Sequence, residues 1–379
     1  LHPMSEPRHA MTSPFPARLD RVRNRLRSLG LDALAVSVGP DLPWLCGYEA
    51  MPLERLTMLV VPVDGPATLV VPALEAPRVN DRGDVTVRPW GEADDPIAIV
   101  DALVPRGAGV AIGDRTWARF LIEWQSRHGE LRFVRAQTVT GVLRERKEPS
   151  EIAVLQRAAA AVDGIAADLQ SGTIPLVGRT EADVSADLSQ RLLAAGHHRV
   201  NFAIVAAGAN AASPHHEPGL RRIEAGEVVL CDFGGTMLDE FGVGYCSDIT
   251  RCVWTGEPSS EVRDIYGVLE RAQAAGVAAG EAGTACEDVD AACRRIIDDA
   301  GFGEFFIHRT GHGIGVEEHE DPYIVAGNRS AIEVGNAWSI EPGIYLPGRF
   351  GMRLEDIVVA TEAGSLSLNR ADHALAIVG

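Results

Sequence analysis

An apolar run at 228–231 that ends directly in the carboxylate of Asp232 restricts the fold more than any other feature of the sequence. Such a run, followed by a small-residue segment, predicts a buried strand. A buried carboxylate costs free energy unless it is paired, hydrogen-bonded or bound to a metal. The fold must therefore bring either a structural partner or a cation to Asp232.

Four other segments place an ionisable side chain at a predicted strand end or in a glycine-rich loop. These side chains are Asp248 in SDITR, His312 in GHGIG, Glu341 in SIEPG and Glu355 in RLED. Taken singly, each has an ordinary explanation, such as a local ion pair of Asp248 with Arg251 or of Glu355 with Arg353. With Asp232, the set has four carboxylates, whose charge would balance two divalent cations held ~3.5–4 Å apart.

The donor types of this set indicate which metal ions would suit it. Oxygen-rich ligation with one imidazole favours Mn²⁺, Co²⁺ or Fe²⁺ over a zinc site built from thiolates. Cys231 neighbours Asp232 in the sequence, but successive strand residues point to opposite faces, so it is not predicted as a ligand.

Charge and element pattern divide the chain near residue 147. Residues 1–147 carry 19 basic and 18 acidic side chains, whereas 148–379 carry 16 and 35. Pro149 suits the first turn of a new helix. We expect a tail over 1–13, an α/β domain over 14–147, and an α+β domain over 148–379 with strands at 227–233, 248–254, 336–341 and 352–360.

Composition excludes several classes of protein and favours one compartment. A net charge of −18 argues against a nucleic-acid partner. No run approaches the ~18 apolar residues of a membrane span. Six cysteines without a CxxC pair, and no apolar signal segment, predict a reducing cytoplasm.

The order Asp, Asp, His, Glu, Glu resembles that of the pita-bread metallopeptidases, which include Xaa-Pro aminopeptidases, Xaa-Pro dipeptidases (prolidases) and methionine aminopeptidases. The matching segments are 206–208, 214–216, DFGG at 232–235, SDITR at 247–251, GHGIG at 311–315, HEDP at 319–322, EPG at 341–343 and RLED at 353–356. The N-terminal part resembles the creatinase-like accessory domain of the proline-directed branch, which methionine aminopeptidases usually lack. The resemblance therefore implies an N-terminal α/β accessory domain followed by a C-terminal pita-bread catalytic domain.

The resemblance also implies a role for each matching residue. Two divalent ions, Mn²⁺ first and Co, Fe or Zn as alternatives, would be held by Asp232, Asp248, His312, Glu341 and Glu355. Asp248 and Glu355 would bridge the ions, and Glu341 would handle the proton of the attacking water. His215 and His319 would polarise the scissile carbonyl, stabilise the oxyanion and assist the leaving nitrogen, while Arg353 would orient a bridging carboxylate.

Three departures from the family pattern bear on the substrate and on the mouth of the site. Asp232 and Asp248 lie 16 residues apart, with the extra residues at 236–242. Tyr323 follows HEDP, where some prolidases carry an arginine that holds a free C-terminal carboxylate. This absence favours longer peptides, and hence an Xaa-Pro aminopeptidase over an Xaa-Pro dipeptidase. His216 also differs from common family usage. By position, Phe202, Tyr323 and Tyr345 are candidates for a proline pocket.

We therefore expect metal-dependent hydrolysis of the bond between an N-terminal residue and proline. Prolidase activity is the alternative. A metal-free creatinase-like C–N hydrolase and a non-catalytic binding relative are further alternatives, but such relatives lose ligands that this sequence keeps. The expected partner is a peptide with proline in second position, with no nucleic acid and no membrane, and the family resemblance suggests a homodimer.

Overall fold

The computed structural model describes residues 13–80, 83–127 and 129–379, so the predicted tail lies, apart from Ser13, outside the described residues. By packing, the chain forms two compact units. The first contains the described residues up to Leu143 together with Glu240–Val243, and the second contains Arg144–Asp239 and Gly244–Gly379. The predicted border at 147 stays a prediction, and nothing in the sequence pattern assigned 240–243 to the first unit.

The first unit is a mixed α/β layer structure. Its helices are α1 (Phe15–Leu29), α2 (Asp41–Cys46), α3 (Pro96–Asp101), α4 (Ala118–Arg127) and α5 (Thr140–Arg144). Its strands are β1 (Ala33–Val36), β2 (Met58–Pro62), β3 (Thr68–Pro72), β4 (Thr86–Trp90), β5 (Gly109–Ile112) and β6 (Arg132–Arg135). They form one sheet in the order β4-β3-β2-β1-β5-β6, in which β1, β5 and β6 run parallel. The α/β prediction for this part is confirmed.

The second unit combines four long helices with mostly antiparallel sheets, as predicted. The helices are α6 (Pro149–Gln170), α7 (Glu181–Ala194), α8 (Ser260–Ala279) and α9 (Cys286–Asp299). The strands are β7 (Arg199–Ala207), β8 (Val228–Leu238), β9 (Gly244–Cys246), β10 (Ile249–Thr255), β11 (Gly311–Gly313), β12 (Glu320–Ile324), β13 (Ala337–Ile340), β14 (Gly343–Leu346), β15 (Phe350–Arg353), β16 (Asp356–Thr361), β17 (Gly364–Ser367) and β18 (Ala376–Val378).

The strands of the second unit form two large sheets and a hairpin. One sheet has the order β18-β10-β8-β7, with β9 paired to β8, and the other has the order β12-β11-β13-β16-β17. Strands β14 and β15 pair only with each other. The single strand predicted at 352–360 is therefore wrong: β15 ends at Arg353 and β16 begins at Asp356, so Glu355 lies in the break between two sheets.

Two apolar cores flank the first of these sheets. Val229, Cys231 and Phe233 on one face of β8 pack into the core that α6 and α7 supply. Val228 and Leu230 on the other face pack into the core of α8 and α9. Alternation along the strand therefore turns Asp232 away from the α6/α7 core, and Cys231 lies on the opposite face, as predicted.

None of the helices in the described part of the chain is both long and apolar enough to span a bilayer.

Candidate active site

A cavity of about 700 Å³ in the second unit brings the predicted functional residues together. All eight of them line it: His215, Asp232, Asp248, His312, His319, Glu341, Arg353 and Glu355. They come from both large sheets, from the ends of the β14–β15 hairpin and from the loop after β7. The residues that the sequence analysis selected from separate motifs therefore lie together in one cavity.

The two aspartates reach the cavity from adjacent antiparallel strands. Asp232 on β8 lies opposite Thr250 on β10, and Asp248 comes immediately before β10 begins. Gly234 permits this approach, because a Cβ atom there would lie 2.1 Å from the carbonyl oxygen of Ser247. The small residues of DFGG are thus required by the strand pairing that places the two carboxylates.

Three buried carboxylate oxygens in this cluster have no hydrogen-bond partner among the described residues. They are Oδ1 of Asp232, Oδ1 of Asp248 and Oε1 of Glu355. Asp248, His312 and Glu355 each offer a ligand atom, and these atoms lie within 4.8 Å of one another. Buried polar atoms are normally satisfied, so orphaned oxygens that converge on one point fit a bound cation.

The electrostatics of the carboxylates agree with this arrangement. Burial, together with the charges of neighbouring carboxylates, holds the pKa of Asp248 and the pKa of Glu355 well above the usual range. Burial also raises the pKa of Asp232, although Arg353 opposes that effect. A cation at this point would relieve the mutual repulsion that raises these pKa values.

His312 directs its Nε2 to the same point. Its Nδ1 donates to the carbonyl of Gly313 at 3.1 Å, which leaves Nε2 as the nitrogen that faces the carboxylates. Nε2 lies 3.2 Å from Oε1 of Glu341 and 3.8 Å from Oδ2 of Asp248. Ser339 fixes both groups, since its hydroxyl accepts from the His312 amide and donates to Glu341.

Arg353 ties two sheets together beneath the carboxylates. Its guanidinium donates to Oδ2 of Asp232 at 2.5 Å, to Thr250 Oγ1 at 3.0 Å and to the Tyr345 hydroxyl at 2.8 Å. Thr250 in turn donates to Glu355 at 2.6 Å. The local ion pairs considered from the sequence are replaced by distant ones, because Arg353 pairs with Asp232 and Arg251 pairs with Asp356.

His319 stacks against the proposed metal ligand His312. The two ring centroids lie 3.9 Å apart. Burial, together with the neighbouring His312 and Arg309, lowers the pKa of His319 to about 4, so the ring is neutral at neutral pH. Arg309 donates to Nδ1 at 3.4 Å, which leaves the proton on Nε2, where it can be donated to a substrate oxygen.

The sequence analysis missed His308, which also lines the cavity. Its Nδ1 donates to the carbonyl of Arg309 at 2.7 Å, and its Nε2 accepts from the Tyr345 hydroxyl at 2.9 Å. Burial lowers its pKa. A chain of hydrogen bonds therefore runs from His308 through Tyr345 and Arg353 to Asp232. The only signal in the sequence was its position four residues before His312.

A second missed residue, Arg309, gives the cavity a cation of its own. Its guanidinium lies 4.4 Å from the ring centroid of Tyr323. Within the described part of the chain, no carboxylate lies at ion-pair distance from it. Of the residues suggested for an apolar pocket, Phe202 lines the cavity, whereas Tyr323 supports Arg309 and Tyr345 is buried beneath Arg353. Ile204 and Ile307 supply further apolar wall.

Two buried carboxylates hold the loops that carry the histidines. Glu320, next to His319, accepts from Lys147 at 2.6 Å and from Arg144 at 2.5 Å. Glu181 accepts from His216 at 2.8 Å and also from the backbone amides of Ala207 and Gly219. His216 is therefore turned away from the role of its neighbour His215 and anchors the loop instead.

Comparison with known proteins identifies two family matches. Residues 153–362 match the model described as metallopeptidase family M24, and residues 18–146 match the creatinase/prolidase N-terminal domain.

Full-length relatives agree with these matches. The chain is 43% identical over 355 residues to the probable dipeptidase PepE of Mycobacterium tuberculosis, covering 92% of each chain. It is 36% identical to an Xaa-Pro dipeptidase of Lactobacillus helveticus, covering 95% of this chain and 98% of the relative. Among solved structures, dipeptidase PepE from Mycobacterium ulcerans superposes with a TM-score of 0.90 at 41% identity, covering 97% of this chain and 99% of that one.

Proposed function

The chain belongs to metallopeptidase family M24 and is a metallo-exopeptidase, and from that premise we propose that it is an Xaa-Pro dipeptidase. The aminopeptidase preference expected from the sequence is not supported, since the relatives described above are named dipeptidases. The creatinase-like and non-catalytic alternatives are set aside with it.

The observation that carries this proposal is the guanidinium of Arg309 in the cavity wall, which contacts His319 and Tyr323 but no carboxylate among the described residues. Arg309 contacts His319, whose ring in turn packs against that of His312. The C-terminal carboxylate of a dipeptide lies within about one residue length, ~3.8 Å, of the bond that is cleaved. A guanidinium that lines the same cavity suits a carboxylate, for which its planar fork of donors is well shaped.

Arg309 also bears on the expectation, drawn from Tyr323, that the substrates are longer peptides. The sequence lacks an arginine directly after HEDP, and this absence favoured longer peptides. Arg309 reaches the same neighbourhood from a different segment and stacks on Tyr323, which holds the guanidinium flat. The loss of a cation at one position is thus compensated by a cation from another.

We assign two divalent metal ions to the cluster of Asp232, Asp248, His312, Glu341 and Glu355, a group that the three orphaned oxygens and the inward-facing Nε2 of His312 fit. When bound, such ions supply Lewis-acid polarisation of the scissile carbonyl and activation of water. The oxygen-rich donor set supports Mn²⁺.

The chain's own residues would bind, orient and transfer protons around that group. Glu341 would accept a proton as a carboxylate, because its contacts with His312 and Arg353 outweigh burial and keep its pKa below the usual range. The neutral His319 would donate Nε2–H to the carbonyl oxygen. His215 faces the same cavity and would assist the leaving nitrogen. Arg353 would hold Asp232 in place throughout.

We also propose a cytoplasmic location and a homodimer. Six free thiols, five of them buried, are in keeping with a cytoplasmic location. A homodimer is suggested by the family resemblance, and sedimentation velocity would test it.

The test compares three substrates with wild-type protein and Arg309→Met, both loaded with Mn²⁺. The substrates are Ala-Pro, its C-terminal amide Ala-Pro-NH₂, and Ala-Pro-Ala. We expect wild type to prefer Ala-Pro. Loss of a charge-assisted hydrogen bond, about 1.5–3 kcal/mol, should lower kcat/KM of Arg309→Met for Ala-Pro by roughly ten- to a hundredfold. The amide should be affected less than threefold.

Arg295→Met is the matched control, because Arg295 is an exposed arginine on α9 whose side chain donates to the carbonyl of Ala291 within its own helix. It should leave the preference unchanged. Cleavage of Ala-Pro-Ala at least as fast as Ala-Pro by wild type would instead identify an Xaa-Pro aminopeptidase and refute the proposal.

A further inference from the structure

We propose that an ion pair on α9, Asp290 with Arg294, is a positioning device that sets the dipeptide specificity of the enzyme by holding Arg309 in place. This inference rests on the proposed function, because it concerns how the carboxylate-binding residue is fixed. Neither residue lines the cavity, and neither touches a proposed metal ligand. Their effect would pass through one loop, residues 306–310, called the 306–310 segment below.

The 306–310 segment has no place in a sheet, so its backbone polar groups need other partners. Arg294 provides two of them, donating to the carbonyl of Phe306 at 3.0 Å and to that of His308 at 2.9 Å. Asp290 accepts from the amide of Thr310 at 3.1 Å and from its hydroxyl at 2.7 Å. Side chains of one helix thus satisfy the carbonyls of residues 306 and 308, and Asp290 shares the Thr310 amide with the carbonyl of Ile324.

Asp290 and Arg294, together called the clamp below, are themselves held in place. Arg294 donates to both carboxylate oxygens of Asp290, at 3.0 Å each, in a two-pronged contact. Its guanidinium also lies 4.1 Å from the ring centroid of Phe306. Asp290 is 1% exposed, so its charge depends on this partner. The pair is one turn of helix apart, which is the spacing at which such side chains meet.

The attachment to α9 holds the segment on both sides of Arg309. Residues 306, 308 and 310 are attached to α9 through their backbone groups. Ile307, His308 and Arg309 form part of the cavity wall. The last anchor continues into the site, since the carbonyl of Thr310 accepts from the amide of Glu341 at 2.8 Å. Displacing the clamp would therefore displace Arg309 through the two attached residues that flank it.

The experiment is a double-mutant cycle on Arg294→Lys and Arg309→Met, with kcat and KM measured for Ala-Pro and Ala-Pro-NH₂. Lysine keeps the charge on α9 but cannot contact two carbonyls and a carboxylate together. We expect Arg294→Lys to raise KM for Ala-Pro by about tenfold, the lower end expected for a weakened charge-assisted contact, and to change the amide less than twofold. In the Arg309→Met background it should have no further effect on the ratio of the two substrates.

Arg295→Lys, a neighbour on the exposed side of the same helix, is the matched control and should match wild type. Asp290→Asn is the second variant, and it should shift the ratio in the same direction as Arg294→Lys. It removes the charge of the clamp but keeps an oxygen that can accept from Thr310.

Three results would overturn the inference. One is an equal fall for both substrates, which marks a merely structural role. Another is a shift of the ratio that persists in the Arg309→Met background. The third is an unchanged ratio in Arg294→Lys although Arg309→Met lowers it, in which case the proposed function stands and only the clamp fails. An unchanged ratio in Arg309→Met alone would refute carboxylate recognition by Arg309, and the clamp would fall with it.

Discussion

The buried cluster around Glu320 offers a direct test of how the His319 loop is held. The Glu320 side chain is 6% exposed, and its two partners are Lys147, the only lysine of the chain, and Arg144, exposed 2% and 5%. Gly315 packs against the cluster so closely that a Cβ atom there would lie 2.5 Å from the carboxylate. No room remains for water to replace a lost partner.

Glu320→Gln should therefore lower the free energy of unfolding by about 3–5 kcal/mol, the range for removing one partner of a buried ion pair. The neutral amide oxygen of glutamine could still accept a hydrogen bond, but Lys147 would lose the carboxylate with which it pairs, whereas Arg144 would keep Glu317. Lys147→Met should cost less, about 1–3 kcal/mol, because Glu320 would retain Arg144. The double variant should be more stable than the two losses added together predict.

The contribution of Glu320 to the free energy of unfolding depends on pH with a definite sign. Burial alone would raise the pKa of Glu320, but the charges and hydrogen bonds of Lys147 and Arg144 lower it overall. The stability that the carboxylate contributes is therefore fully present above the unfolded value near 4.5 and is lost as pH falls through the folded value. The difference between wild type and Glu320→Gln should shrink on acidification.

Urea unfolding measures these differences, with Glu362→Gln on an exposed turn as the control. Acylation of the single lysine, followed by mass spectrometry, reports independently on opening of the cluster and should be faster in Glu320→Gln. A loss below about 1 kcal/mol, or a difference that grows on acidification, would refute the reasoning.

Three other outcomes follow from the site. Asp248→Asn should abolish tight Mn²⁺ binding, measured by calorimetry. The same change should raise the thermal midpoint of the metal-free protein, because it removes one charge from a buried cluster of carboxylates that repel one another. A lower midpoint would contradict this. His319→Ala should reduce kcat by roughly a hundredfold or more while metal content by elemental analysis stays the same, and equal loss of both would make it a ligand. Gly234→Ala should cost more than about 2 kcal/mol in urea unfolding, since its Cβ would collide with Ser247, whereas Gly164→Ala, with open space on α6, should stabilise by up to about 1 kcal/mol.

The carboxylate cluster could be predicted because two of its members break a local rule and the others complete a charge-balanced set. A charge after an apolar run, as at Asp232, or a histidine among glycines, as at His312, is visible without the fold. Its partners are less visible. Arg353 and Arg251 each have an acidic residue within three positions, yet both pair with carboxylates more than 100 residues away. Sequence proximity does not determine ion pairing where two sheets meet.

Arg309 shows most clearly what could not be predicted from the sequence. Its neighbours His319 and Tyr323 lie on the far side of the Gly311–Gly315 loop, so its place in the cavity depends on how β11 and β12 pair. The expectation of longer substrates followed from examining only the position after HEDP. A side chain that supplies the same charge from another strand end cannot be found by comparing positions along the chain.

The assignment of Glu240–Val243 to the first unit has a consequence for synthesis. Phe241, in the 240–243 tip between β8 and β9, packs edge-on against Phe15 at the very start of α1, with ring centroids 6.1 Å apart. The first unit is therefore not complete when residue 143 leaves the ribosome. Nearly 100 further residues must be translated before its last piece arrives. N-terminal fragments that end before this tip should accordingly lack the final packing of α1, however long they are allowed to fold.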